Sequence, residues 1–224
     1  MQDIERMVPR LVGDVIGRPK LASVQGMLLL LQRPNGDSWA MTCKMIAVAQ
    51  NLGLHLDSTN WKIPEWERSL RKRLGWALYM QDKWASLVNG RPSHITPNNW
   101  DLPPVEARDF PETADDEDDQ EGSAEVEKGR LVFCSMISLT EILADIQDTF
   151  YTVKAIKHEI TTLEALEKAK PMQLRLKEWF TSLPMSLSMD ETRARKLSSS
   201  GKFHKRIHFS PNEHISNQLA TGNS

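Results

Sequence analysis

A chain of 224 residues with 40% apolar content is long enough for one domain with a sizeable core. Its formal net charge of -2 argues against a nucleic-acid-binding surface over the whole chain. It holds no run of 18 apolar residues to span a membrane, its start lacks the pattern of a secretory signal, and Cys43 and Cys134 sit in apolar helical settings, which together imply an intracellular chain with two core thiols.

The apolar run from Leu21 to Leu31 predicts a helix buried on most sides, opened by Pro19-Lys20 and closed by Arg33-Pro34-Asn35-Gly36. Ser38 is placed to cap a second helix whose apolar face holds Met41, Met45, Ile46, Val48, Ala49 and Leu52, with Gly53 ending it in a left-handed conformation. A third helix is predicted from Pro64 to Asn89-Gly90. Trp66, Leu70, Leu74, Ala77, Leu78, Trp84 and Val88 fall along one side of it, and Glu65, Glu67, Arg68, Arg71, Lys72, Asp82 and Lys83 along the other. Glu67 and Arg71 form an i,i+4 pair worth about 0.3 kcal/mol. The stretch from Arg91 to Asp109 carries Pro92, Pro97, Pro103 and Pro104 and is expected to be loop.

Between Glu112 and Glu127 lie nine acidic residues, a composition that repels itself and predicts a disordered linker over 110–129; a flexible spacer suits it better than an activation segment, because bulky apolar residues are scarce. Helical spacing returns from Arg130 to Ile146 and again from Ile156 to Leu183, where Pro171 is expected to bend or divide the segment. From Glu191 onward six Lys or Arg face two Glu, and residues 185–224 read as a weakly ordered basic and polar tail.

Four pieces stand in one order over about fifty residues: Gly53-Leu54-His55-Leu56-Asp57; Arg71-Lys72-Arg73-Leu74-Gly75-Trp76 with Asp82 near the helix end; Gly90-Arg91-Pro92-Ser93-His94-Ile95; and Trp100-Asp101-Leu102-Pro103. This series resembles the fungal-specific transcription factor domain, also called the middle homology region. The resemblance implies an all-α fold, an irregular multi-helix array with a first block over 1–109 and a second over 130–184, and a regulatory role in the nucleus, in RNA polymerase II transcription. Members carry an N-terminal six-cysteine binuclear zinc cluster that binds DNA. Two cysteines cannot supply such a site, so no cofactor is expected in this chain, and DNA is reached only through a missing cluster or a partner.

Other transcription factors or co-regulators are the expected partners, with a small-molecule effector as an open option and no membrane. Trp76 to Trp84 and Arg91 to Ile95 are most similar to a subgroup of co-activators of nitrogen utilisation. Past Gly201 the likeness stops, which suggests a truncated gene model or isoform. A helical scaffold outside transcription, or a truncated non-functional product, is the competing reading.

Catalytic chemistry is not expected. His55 and Asp57 lie in what the resemblance makes a structural turn, and His204 with His208 sit in a Lys-rich tail without a third ligand. Arg68, Arg71, Lys72 and Arg73 suit either phosphate contact or internal carboxylate pairing. Gly90-Arg91-Pro92-Ser93 is too short for a phosphate loop; its expected role is geometric, with Arg91 pairing with Asp82 or another acid. Most of the seven tryptophans should be core. Gly75 replaces a second Trp of the resembled motif, leaving either a cavity or a close helix crossing.

Overall fold

The computed structural model describes residues 18–33, 38–110, 120–157 and 160–187. Those residues are helices and connections, with no strand among them. Helix α1 spans Leu21–Leu31, α2 Ser38–Asn51, α3 Glu65–Asn89, α4 Gln120–Phe150, α5 Val153–Lys157 and α6 Thr162–Ser182; short 3-10 turns occupy Pro97–Asn99, Ala107–Asp109 and Met185–Leu187.

Helices α1, α2 and α3 enclose the core. Val24 and Met27 from α1 meet Met45, Ile46, Val48 and Ala49 from α2 and Leu74 and Leu78 from α3. Helix α1 buries only those two residues, and Leu29 is 75% exposed, so the expectation of burial on most sides is corrected. Ser38 begins α2 rather than preceding it. After α2, Gly53 takes φ +72 and the Leu54 amide returns to the Ala49 carbonyl at 2.9 Å, as a left-handed glycine stop requires.

With 25 residues, α3 is about 37 Å long and forms the axis of the fold. Gly90, at φ +59, ends it, and the Arg91 amide closes onto the Ser86 carbonyl. The predicted division into an apolar side and a charged side fails in the middle of this helix. Asp82 and Lys83 are 0% and 1% exposed, whereas Trp66 and Val88, assigned to the apolar side, are 65% and 81% exposed. The reason is topological: α1 and α2 cover one flank, the returning 91–110 segment another and α4 a third, so no solvent face remains near Asp82.

Helix α4 starts at Gln120, ahead of the expected Arg130, and the anticipated linker is corrected over 120–129. The packed C-terminal half supplies the nucleus from which the first turns extend. Residues 111–119 of that acidic run lie outside the described residues. The two helical blocks are not separate bodies: the Trp84 indole donates to the buried Thr140 hydroxyl at 2.9 Å, and the Gln147 amide donates to the Lys83 carbonyl at 3.0 Å and to Ser86 Oγ at 2.9 Å.

Thr161 and Glu164 cap α6 reciprocally. Pro171 lies inside this helix and does not divide it. Pro171 and Glu167 are both exposed, so the proline, which has no N–H to give the Glu167 carbonyl, sits on the solvent side of the helix. The Trp179 indole donates to the Ser135 carbonyl at 2.9 Å, and Arg175 pairs with Asp145, which docks α6 on α4. Cys43 is exposed and Cys134 half-buried, so neither is the core thiol expected. His204 and His208, with the whole tail from residue 188, lie outside the described residues. No helix among those described is long and apolar enough to cross a membrane.

Candidate functional site

Residues 91–110 return along α3 toward its N-terminal end as an extended strap, and buried polar contacts hold them there. The first contact is made by neighbours on the helix. The Asp82 carboxylate accepts from Ser93 Oγ at 2.5 Å, from the His94 amide at 3.0 Å and from the Ile95 amide at 2.9 Å; His94 Nδ1 lies 2.9 Å away and donates as well. The Lys83 ammonium donates to Ser93 Oγ at 2.8 Å and to the Ile95 carbonyl at 2.9 Å, with the Tyr79 ring 5.4 Å away.

Adjacent helix positions point about 100° apart, so this acid and base grip one tripeptide from two directions. One takes its N–H groups and the other its carbonyl. Burial lowers the Lys83 pKa, opposed by the charges of Asp148 and Asp82. A buried ion is tolerated only with such partners.

Arg91 was expected to pair with Asp82 or another acid, and among the described contacts Asp82 is held by Ser93, His94 and Ile95. The Arg91 guanidinium lies over the Trp39 ring at 5.1 Å, while that indole donates to the Pro92 carbonyl at 2.8 Å and stacks near His94. Pro92 thus presents its carbonyl to α2, and Ile95, 3% exposed, plugs the core.

Farther along the strap, the Asp101 amide donates to the His55 carbonyl at 3.0 Å, joining the first and last motif pieces, and the Trp76 indole donates to the Pro103 carbonyl at 3.0 Å. Gly75 sits where helix, turn and strap converge. A Cβ there would stand 2.6 Å from the Leu54 carbonyl oxygen and 2.6 Å from Leu102 Cδ1. The missing second Trp is therefore matched by a close backbone approach and not by a cavity.

The last contact is Asp109, 4% exposed, which accepts from Ser69 Oγ at 3.2 Å, Lys72 Nζ at 2.9 Å and the Glu106 amide at 2.7 Å. The Arg73 guanidinium lies over Phe110 at 5.7 Å, and burial lowers its pKa against the pull of Asp109. Arg68 donates to the Trp61 and Ile63 carbonyls at 3.2 and 2.8 Å. Arg71 donates to Glu67 at 2.8 Å and to the Leu52 carbonyl at 2.7 Å, and lies over the Trp61 ring. The described contacts of the basic cluster thus run to carbonyls, carboxylates and aromatic rings of the same fold, which favours internal pairing over phosphate contact.

Arg71→Ala should cost about 1.5 kcal/mol, because a charged donor to a partly buried carbonyl is lost together with the ring contact. Glu67→Gln should cost about 0.3 kcal/mol, since that partner is a partly exposed i,i+4 acid. Urea unfolding midpoints of the two variants check the difference.

His55 and Asp57 form no acid–base pair. Asp57 is exposed and accepts from Thr59 Oγ1 at 2.5 Å and the Thr59 amide at 2.8 Å, bonds that hold its carboxyl below the ordinary value. A carboxylate lowered in this way adds stability above the unfolded value of 3.8, and loses it as pH falls through the folded value. Thr59→Val, which removes the hydroxyl bond, should move the Asp57 titration upward in an NMR pH series. No cluster of three metal-ligating side chains occurs among the described residues.

Lys83, Ser69 and Asp109 belong to this site although the sequence reading did not single them out for it. For Asp109 a signal existed, since Glu106-Ala107-Arg108-Asp109 has the spacing of a reciprocal cap. For Lys83 none did, because nothing local distinguishes a buried lysine from a solvated one.

A sequence profile described as "Fungal specific transcription factor domain" matches residues 14–181, which contain all the motif pieces. The chain is 36% identical over 219 aligned residues to the transcriptional activator protein DAL81 of Saccharomyces cerevisiae, covering 82% of this chain and 23% of that protein. A transcriptional regulatory protein of Schizosaccharomyces pombe is 30% identical over 62% of this chain and 20% of its own length, and an ABC-transporter-regulating transcription factor of Aspergillus fumigatus 29% identical over 74% and 18%. The chain thus spans about a quarter or less of the length of these relatives. No solved structure matches it. With three quarters of its length inside the profile and the motif residues brought together along one helix, the chain belongs to the fungal-specific transcription factor domain family.

Proposed function

We propose that this chain is the regulatory region of a fungal transcription regulator, acting in the nucleus on RNA polymerase II transcription of nitrogen-utilisation genes through contacts with other regulators. One observation carries the manner of action: Arg68, Arg71, Lys72 and Arg73, the densest basic patch on the helices, are spent on carbonyls, carboxylates and aromatic rings of the same fold. A surface so occupied does not supply the phosphate contacts that dominate DNA affinity. The likeness to a transcriptional activator over most of the chain supports the regulatory role. Gly53, Leu54, His55, Asp57, Leu74, Trp76, Gly90, Pro92, Asp101 and Pro103 serve that role as the residues that shape turn, helix and strap.

The test is made in the source organism. The gene is replaced by versions with Asp82→Ala or with exposed Glu106→Gln, and nitrogen-utilisation transcripts are counted after a change of nitrogen source. The reading expects a drop of roughly tenfold for the first variant, nuclear protein in both, and near-normal transcripts for the second. Unchanged transcripts with Asp82→Ala, or exclusion from the nucleus of the unaltered protein, would overturn it.

A further inference from the structure

An apolar groove of about 760 Å³ opens between α1, α3 and α4. Leu28 and Leu29 of α1 line one wall, Val132 and Phe133 of α4 the other, and Met80 and Trp84 of α3 the floor. Its volume falls within the range of small-molecule pockets, about 300–1,000 Å³. Trp84 presents apolar ring surface there, because its indole N–H is spent on Thr140.

Two features of the lining fix the chemistry of an occupant. The first is neutrality: no ionisable side chain lines the groove among the described residues. An ion entering it would give up hydration and meet no opposite charge. The second is the state of the amides at one end. Gln81 Nε2 donates to Thr42 Oγ1 at 3.4 Å, and that hydroxyl, on a residue 0% exposed, donates in turn to the Ser38 carbonyl at 2.7 Å. Anchored in this way, Gln81 turns its Oε1 to Gln32 Nε2, which donates to it at 3.2 Å and to the Leu28 carbonyl at 3.4 Å. Both hydrogens of the Gln32 amide are then used, whereas its Oε1 has no partner among the described residues. Gln81 keeps one amide hydrogen. A hydroxyl is the single small group that can donate to the first and accept from the second. Gln25 lies seven residues before Gln32 on the same wall, which leaves about 10 Å of groove for an apolar body.

We propose that this groove binds a neutral, elongated apolar alcohol or phenol, with its body on Met80 and Trp84 and its hydroxyl on Gln32 and Gln81. This goes beyond the regulatory role proposed above and does not depend on it.

Methionine methyl NMR on the full 224-residue chain tests it. The probe is 4-phenylphenol, set against 4-methoxybiphenyl, which lacks the donor, and biphenyl-4-carboxylate, which carries a charge. The phenol should shift the Met80 and Met136 methyls in a saturable titration and leave Met45, buried in the core, in place. The ether should bind about fivefold more weakly, the worth of one net hydrogen bond, and the carboxylate at least about tenfold more weakly. Gln32→Leu with Gln81→Leu removes both partners of their bond at once and should erase the advantage of the phenol over the ether. Gly129→Phe fills the groove from a position where nothing lies within 4 Å of an added Cβ, and should weaken the phenol at least about tenfold with the melting temperature kept. No saturable shift, equal affinity for the three probes, an advantage that survives the double substitution, or binding untouched by Gly129→Phe would overturn the proposal. A shift of the same methyls by an amphipathic leucine–lysine peptide, with none by the phenol, would overturn it in favour of a partner helix.

Discussion

Asp82→Ala should lower the stability of the fold by about 4 kcal/mol, the largest effect expected of any single truncation outside the apolar core. The carboxylate is fully buried and is the shared acceptor of Ser93, His94 and Ile95. Its removal leaves the partly buried His94 amide and the buried Ile95 amide without their acceptor, and it also takes away an anion that favours the buried Lys83 ammonium. With about 2–4 °C per kcal/mol for a chain of this size, the melting temperature should fall on the order of 10 °C.

Asp82→Asn should cost less, near 2 kcal/mol, since one acceptor oxygen remains while an amide group now faces donors. Lys83→Met should cost less than Asp82→Ala, because Asp82 keeps its amide and hydroxyl donors. Thermal melts of the three variants, with exchange rates across residues 91–110, check this order. A loss under about 1 kcal/mol for Asp82→Ala would mean that the strap is held chiefly by Ile95 and Trp100 in the core.

The second large effect has a sign opposite to helix propensity. Alanine in place of a mid-helix glycine ordinarily stabilises by about 1 kcal/mol. At Gly75 the added methyl would stand 2.6 Å from the Leu54 carbonyl oxygen and 2.6 Å from Leu102. Leu102 has rotamers to yield with; the Leu54 carbonyl belongs to the turn fixed by Gly53 and by the Asp101 to His55 bond two residues on. Overpacking of this kind costs about 1–3 kcal/mol, so Gly75→Ala should be destabilising by about 2 kcal/mol net.

Gly26→Ala is the control. Gly26 is also helical, but nothing lies within 4 Å of its added Cβ, and its substitution should raise stability by about 0.5–1 kcal/mol. Paired urea titrations of the two variants decide the matter, and stabilisation by both would show that the turn yields freely.

What the chain's own order determined is local. The stops at Gly53 and Gly90 follow from the need for a left-handed residue after a helix, and both positions take positive φ. The Glu67 to Arg71 pair follows from i,i+4 spacing and is present at 2.8 Å. The helices of the first half follow from apolar periodicity, and the motif order names the family without reference to any contact.

Tertiary structure alone decided which of these residues face water. Asp82 and Lys83 look solvated on any helical wheel, because a wheel sees one helix and not the strap that returns over it. The acidic stretch reads as linker by charge, yet its second part is helical from Gln120, since a helix nucleated by packing at Trp84, Thr140 and Gln147 extends backward at little cost per residue. Gly75 reads as a weak point or a void and is a contact, because the Leu54 carbonyl that meets it comes from a turn some twenty positions away in sequence. Periodicity carries the spacing of side chains along one element; the burial of a charge or the crowding of a glycine depends on which distant backbone arrives there.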